Sequence, residues 1–354
     1  MAQALRLAEQ GLYGTSPNPR VGCVLVRDGK LVGSGWHQRA GEAHAEVHAL
    51  REAGKAARGA TAYVTLEPCS HHGRTPPCAD ALTAAGVARV VVAMQDPNPQ
   101  VAGAGIDKLR IAGIAVESGL MEAAAHELNA GFFTRMTRGM PWLRSKIAMS
   151  LDGRTALGNG VSQWITGEAA RRDVQHWRAR SCAVLTGIGT VLADDAQLNV
   201  REIETSRQPL RVVLDSQLRI PTDARVLDEG NTLIYTARHD EGKSAVLQES
   251  GGTVVLLPGE DGRVDLPAML RDLAQRGCNE VLVEAGSTLN GALLRAGLVD
   301  ELLLYIAPQL LGDAARGMAQ LGELTSLDQR VNLKWQDVRQ IGNDLRITVK
   351  VEHV

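Results

Sequence analysis

Strand-like and helix-like stretches alternate along this chain from near its start. Val21–Val26 and Leu31–Trp36 are apolar runs on either side of Asp28-Gly29, which predicts two strands joined by a tight turn. A helix is predicted over Ala43–Ala53, ending near Gly54, and then a strand over Ala62–Leu66. Cys78–Ala85 reads as a helix closed by Gly86, and Ala88–Ala93 as a buried strand. Gly103–Ala112 and Ile114–Glu117 add one more helix and strand. This series predicts an α/β sandwich with a sheet core. Met121–Thr137 reads as a connecting helix, which Gly139-Met140-Pro141 breaks. The domain boundary is placed there, giving residues 1–138 and 139–354.

A second α/β series follows. Its strands are expected near Leu143–Met149, Ala183–Thr186, Leu210–Leu214, Thr232–Tyr235, Thr253–Leu257, Glu280–Val283 and Glu301–Ala307. Helices are expected at Glu168–Arg178, Gly189–Asp194, Pro267–Gln275 and Leu289–Ala296. There is no fixed-period repeat and no low-complexity segment.

The 354 residues suit two domains of ~100–200 residues each. A hydrophobic share of 44% and a charged share of 22% belong to an ordinary globular protein. Residues 1–138 hold 14 basic and 12 acidic side chains, and the remainder 24 and 28. Neither part has the basic excess of a nucleic-acid surface. No uncharged apolar run approaches the ~20 residues of a membrane span, and Met1–Arg6 has no signal-peptide core. A cytoplasmic protein without nucleic-acid or membrane partners is therefore expected. Five cysteines make no disulfide framework. Cys23, Cys182 and Cys278 sit in or beside apolar runs and read as buried thiols.

The chemistry concentrates in His44-Ala45-Glu46, Pro68-Cys69 and Cys78. One imidazole and two thiolates can bind Zn²⁺ and leave the fourth tetrahedral position open. Glu46 is then placed to move protons between water and substrate. The pattern is that of zinc nucleobase deaminases, H-x-E…P-C…C. Its irregularity is the nine-position step from Cys69 to Cys78, which Ser70–Pro77 fills. The predicted elements put the ligands at or near helix N-termini, where the dipole favours a thiolate. A purely structural zinc site, with His71 or His72 as fourth ligand, is the competing reading, but it has no use for Glu46. His48 lies four residues after His44 and reads as a structural residue.

Together with Pro17-Asn18-Pro19-Arg20-Val21-Gly22 and the long run Glu67–Cys78, these motifs resemble the bifunctional deaminase/reductase family of riboflavin biosynthesis. The second part adds Ser145–Arg154, Ser162–Thr166, Thr190–Asp195 and Val283–Gly286, which look like that family's reductase domain. The resemblance covers essentially the whole chain. It implies a cytidine-deaminase-like α/β/α sandwich followed by a dihydrofolate-reductase-like α/β domain. It also implies one zinc per chain, NADPH, and small phosphoribosylaminopyrimidine substrates, with a homo-oligomer (dimer or tetramer) expected. In the deaminase half it points to Asn18, His37, His71 and Arg74 as substrate contacts. Arg74 is suited to grip phosphate bidentately.

In the reductase half no G-x-G-x-x-G is present. Gly187-Ile188-Gly189 and Gly286–Gly291 are glycine-bearing strand-to-helix turns, which can present N–H groups to a diphosphate. By resemblance, Ala148, Trp164, Thr190, Asp194, Ser216, Gly286, Ser287, Thr288, Leu289, Asn290, Gly291 and Ala292 contact NADPH. Ser162, Arg178, Leu198, Arg201 and Glu284 hold the substrate, with Lys146 beside them. Either Lys146 or Asp194 supplies the proton, and the sequence does not choose. Two other classes compete. One is a nucleic-acid editing deaminase, which the charge balance disfavours. The other is a non-enzymatic zinc-stabilised binding module.

Overall fold

The computed structural model describes residues 1–70, 76–99 and 101–352. It divides into two compact units, Met1–Met140 and Pro141–Val354.

The first unit runs α1 (Ala2–Glu9), β1 (Gly22–Arg27), β2 (Lys30–Trp36), α2 (Ala45–Ala53), β3 (Thr61–Val64), α3 (Cys78–Ala84), β4 (Arg89–Val92), α4 (Ala104–Ile111), β5 (Ala115–Ser118), α5 (Glu122–Leu128) and α6 (Ala130–Arg138). Its sheet has the order β2-β1-β3-β4-β5. β1 pairs antiparallel with β2 and β3, whereas β3, β4 and β5 run parallel. The core beneath α2 is built from small side chains. Ala45, Ala49 and Ala53 recur every fourth residue on one helix face and pack with Cys23, Leu25 and Val64. The approach is close: a methyl on Gly33 would stand 2.2 Å from the Ala49 carbonyl oxygen. That spacing brings the start of α2, with His44 and Glu46, down onto the sheet.

The connecting helix expected over Met121–Thr137 is two helices, broken at Asn129. The Asn129 amide is buried and committed elsewhere. Its Oδ1 accepts from Arg20 N at 2.8 Å, and its Nδ2 donates to Arg20 O at 2.9 Å. Arg20 in turn donates from Nη1 to Leu128 O, capping α5.

The second unit contains β6 (Trp142–Ser150), β7 (Arg154–Ala156), α7 (Glu168–Arg180), β8 (Ala183–Gly187), α8 (Ile188–Asp194), β9 (Leu210–Leu214), β10 (Thr232–Thr236), α9 (Glu241–Glu249), β11 (Gly252–Leu256), α10 (Leu266–Gln275), β12 (Glu280–Glu284), α11 (Ser287–Arg295), β13 (Glu301–Ala307), β14 (Arg316–Gly317), β15 (Asn332–Ile341) and β16 (Asp344–Glu352). The large sheet has the order β11-β10-β9-β8-β12-β6-β13-β16-β15. It is parallel from β11 to β13, with β16 and β15 added antiparallel. Val281, Leu282 and Val283 of β12 are all fully buried, as expected of a strand covered on both faces. From β8 the chain works outward through β9, β10 and β11. It then returns to insert β12 between β8 and β6. The direction of winding therefore reverses between β8 and β12, and ligands of such sheets bind at the strand C-termini there. In this unit the sequence reading did not foresee β7, α9, β14, β15 or β16.

Candidate metal centre and coenzyme cleft

In the first unit, three donors from separate places in the chain converge. His44 is the extended residue capping the start of α2, Cys69 follows β3, and Cys78 is the first residue of α3. His44 Nδ1 lies 3.5 Å from Cys69 Sγ and 3.3 Å from Cys78 Sγ. All three donor atoms fall within 4.8 Å of one another. A tetrahedral zinc with ~2.3 Å bonds to sulfur and ~2.0 Å bonds to nitrogen has an S···N edge of about 3.5 Å. The donor set and its spacing therefore fit zinc.

Cys69 Sγ accepts from Cys78 N at 3.3 Å. The Cys78 thiol donates to it as well, and with His44 alongside this holds Cys69 well below the usual thiol range, while Cys78 is raised. Glu46 sits in the first turn of α2 and is 3% exposed. Burial pushes its carboxyl up to about 7, against the pull of His44.

His37 and Asn18 stand beside these ligands. The His37 ring meets the His44 ring edge-on at 5.3 Å. Its Nδ1 lies 3.1 Å from the Ala43 carbonyl and its Nε2 3.1 Å from Asn18 Nδ2. A carbonyl only accepts, so Nδ1 carries the proton. Burial lowers the ring's pKa and keeps Nε2 an acceptor for the Asn18 amide. With Nδ2 turned to His37, Asn18 Oδ1 is the amide's acceptor on the other side. His71 and Arg74 lie outside the described residues. His48 is not part of the donor cluster. Glu67, given above only as the first residue of the Glu67–Cys78 run, is a buried carboxylate directly before Pro68-Cys69.

In the second unit, a cleft of about 1670 Å³ opens at the C-terminal ends of β8 and β12. Lys146, Ala148, Ser162, Trp164, Arg178, Thr190, Asp194, Leu198, Arg201, Ser216 and Glu284 all line it, as do Gly286, Ser287, Thr288, Leu289 and Ala292. Asn290 and Gly291 do not. Asn290 is buried, bonded to Ser145 Oγ at 3.0 Å, and a methyl on Gly291 would meet Gln320 O at 2.2 Å. Both pack α11 against its own unit.

The cleft suits a dinucleotide. α8 and α11 both point their N-termini into it from adjacent strand ends, and a methyl on Gly189 or Gly286 would meet nothing within 4 Å. Two helix N-termini with open glycines form an anion cradle. Next to it lies a charged cluster. Arg178 holds Glu284 bidentately, Nε to Oε1 at 2.6 Å and Nη2 to Oε2 at 3.0 Å, and donates from Nη1 to Asn199 O. Burial pushes Glu284 up, but Arg178, aided by Lys146 and Arg201, outweighs it and holds the carboxyl at about 2. Lys146 is the register partner of Glu284 on neighbouring β6, and burial lowers its pKa. Asp194 is exposed and accepts from Gln163 Nε2. Trp164 is 70% exposed, with the Arg171 guanidinium 4.6 Å over its ring.

Residues 141–347 match the family model described as RibD C-terminal domain. Residues 1–94 match the cytidine and deoxycytidylate deaminase zinc-binding region. The riboflavin biosynthesis protein RibD of Escherichia coli K12 is 53% identical, covering 98% of this chain and 96% of that one. The Haemophilus influenzae protein of the same name is 48% identical over 98% and 95%. Among solved structures, Acinetobacter baumannii RibD, form 1, superposes with a TM-score of 0.92 at 48% identity, covering 99% of this chain and 98% of its own. A diaminohydroxyphosphoribosylaminopyrimidine deaminase/5-amino-6-(5-phosphoribosylamino)uracil reductase of Thermotoga maritima gives 0.87 at 33% identity, covering 99% and 97%.

Proposed function

The chain belongs to the RibD family of bifunctional deaminase–reductases of riboflavin biosynthesis, and from that we propose which of its residues carry each reaction. The first reaction is the zinc-dependent hydrolytic deamination of 2,5-diamino-6-(5-phosphoribosylamino)pyrimidin-4(3H)-one. The second is the NADPH-dependent reduction of the ribosyl group of 5-amino-6-(5-phosphoribosylamino)uracil to ribityl. We assign the deaminase to residues 1–138 and the reductase to 139–354.

In the deaminase, His44, Cys69 and Cys78 hold one zinc per chain. Zinc held by this donor set makes water nucleophilic at neutral pH. Glu46 takes one proton from that water and delivers it to the pyrimidine ring nitrogen, then takes the second from the resulting hydroxyl and delivers it to the departing amine, which leaves as ammonia. Asn18, oriented by His37, accepts from a substrate N–H or O–H through Oδ1. His71 and Arg74 complete the substrate contacts, with Arg74 at the phosphate. The observation that carries this reading is the meeting of three donors at zinc-like spacing beside a buried glutamate.

In the reductase, the cradle at α8 and α11 seats the coenzyme diphosphate, with Ala148, Trp164, Thr190, Asp194 and Ser216 along its length. NADPH bound there would supply the hydride that reduces C1′ of the sugar. Ser162, Leu198, Arg178 and Arg201 position the phosphoribosyl group, and Glu284, which stays ionised, accepts from its hydroxyls. Of the two candidate proton donors we favour Lys146. It lies beside Glu284 in the half-buried cluster, whereas Asp194 is exposed and engaged by Gln163. As the C1′–O4′ bond opens, Lys146 gives its proton to O4′.

The working form is read as a homo-oligomer, dimer or tetramer. Leu333, Trp335 and Val338 are exposed on β15, an edge strand of the large sheet, and such edges are commonly covered. A cytoplasmic address suits five cysteines of which none is in a disulfide. No helix among the described residues is long and apolar enough to cross a membrane.

The test is a coupled assay following ammonia and NADPH absorbance together. NADPH oxidation should lag ammonia release when the diaminopyrimidine phosphate is supplied, and start at once with the deaminated uracil. Lys146→Met should bind NADP⁺ yet oxidise NADPH at least a hundredfold more slowly. Full turnover in that variant would remove Lys146 from the mechanism.

A further inference from the structure

We propose that Glu67 is a positioning residue for Cys69, acting through a carboxylate clamp on α4. The proposal rests on the zinc reading of the His44–Cys69–Cys78 cluster. It concerns which residue keeps that cluster assembled.

The three ligands differ in local support. His44 caps α2 and Cys78 begins α3, so each is tied to a helix. Cys69 lies beyond the end of β3, in neither strand nor helix. It is tied to α3 by Ala79 N donating to Cys69 O at 3.2 Å and Cys78 N donating to Cys69 Sγ at 3.3 Å, and on its other side by what holds the chain just before it.

Glu67 is only 4% exposed. Both of its oxygens are used. Oε2 accepts from Asp96 N at 3.1 Å and Gly103 N at 3.0 Å. Oε1 accepts from Gly105 N at 2.8 Å and Ile106 N at 3.2 Å. Oε2 thus joins the segment after β4 to the start of α4, and Oε1 binds the first turn of that helix. All four donors are backbone N–H groups, and the Glu67 carboxylate has no ion-pair partner among the described residues. The N-cap of α4 is Gly103, which has no side chain to cap with. Glu67 supplies that cap from a distant part of the chain, where a negative charge is favoured by the helix dipole.

The main chain is held as well. Glu67 N donates to Met94 O at 3.0 Å. Gly105 faces the next residue so closely that a methyl there would stand 1.9 Å from Pro68 O. Proline fixes its own φ. The Glu67-Pro68 unit is therefore pinned by the end of β4 on one side and by α4 on the other, and Cys69 is the residue it delivers. A glutamine has the same shape, but its NH₂ must then face backbone N–H groups, donor against donor.

The test uses full-length, metal-loaded protein and its cobalt-substituted form, whose visible absorption reports thiolate ligation directly. Two variants are compared with the parent: Glu67→Gln and Gly105→Ala, the second pressing on Pro68 without changing charge. Each should release zinc to a chelator about tenfold to a hundredfold faster, the range seen when groups that orient metal ligands are removed. Each should also show an altered cobalt–thiolate band, and a fall in deaminase kcat with little change in KM. Reductase turnover of supplied uracil substrate should stay at the parent rate. A parent that takes up no zinc or cobalt would refute the zinc reading itself. A parent that binds metal, with a folded variant matching it in release rate and cobalt spectrum, would overturn the clamp. If Glu67→Gln fails to fold, Gly105→Ala decides by the same two readings.

Discussion

Arg178 and Glu284 face each other across the reductase cleft with two parallel bonds of 2.6 and 3.0 Å, and Lys146 stands in register with Glu284 on the next strand. The pair fixes the charge state of the cleft before any ligand arrives. Glu284→Gln should leave the Arg178 guanidinium short of its partner and destabilise the chain by about 3 kcal/mol. The carboxyl is held at about 2, below an unfolded value of ~4.3. A lowered folded pKa gives stability that is complete above the unfolded value and is lost as pH falls toward the folded one. Thermal melts of parent and variant should therefore differ most at neutral pH and converge between about pH 4.5 and 2.

Glu46→Gln should keep one zinc per chain and lower deamination by about 10²–10⁴-fold, the span of a lost general acid–base. Metal analysis and ammonia release measure the two effects separately. Persistence of deamination would remove Glu46 from proton transfer.

Stripping zinc with a chelator should abolish ammonia release. NADPH oxidation with the deaminated uracil should continue, because every residue assigned to that cleft lies between Lys146 and Ala292. Parallel loss of both activities would count against separately built sites.

Asn129→Ala removes both bonds to the Arg20 main chain and leaves a buried N–H and C=O without that partner. A cost of ~2–3 kcal/mol is expected. Asn18 lies two residues before Arg20, so the deaminase KM should rise severalfold with kcat nearly constant. Denaturant melts and initial rates check the two parts.

Much of the fold was legible because many strands are continuous apolar runs. Leu210–Leu214 and Glu301–Ala307 were bounded by sequence alone as they stand in the structure. β15 escaped because nearly all of it is exposed, so no buried face imposes a pattern. The break at Asn129 escaped for a different reason: its cause is Arg20, 109 residues earlier, and no local signal carries a contact of that range. The convergence of His44, Cys69 and Cys78 was readable because zinc chemistry demands particular side chains at particular spacings. Glu67 was not, since a carboxylate that binds only backbone N–H groups leaves no mark on the residues it binds. Asn290 and Gly291 show the converse: a motif marks a segment, and only packing separates the side chains facing a ligand from those facing the core.

The alanine-and-glycine seam beneath α2 limits how this enzyme can change over evolution. With Ala49 O only 2.2 Å from where a Gly33 methyl would sit, the seam accepts almost no added volume. The helix carrying Glu46 therefore cannot slide or tilt to suit a new substrate. Volume added at this seam would have to displace α2 itself, and with it the Glu46 carboxyl from the His44–Cys69–Cys78 cluster.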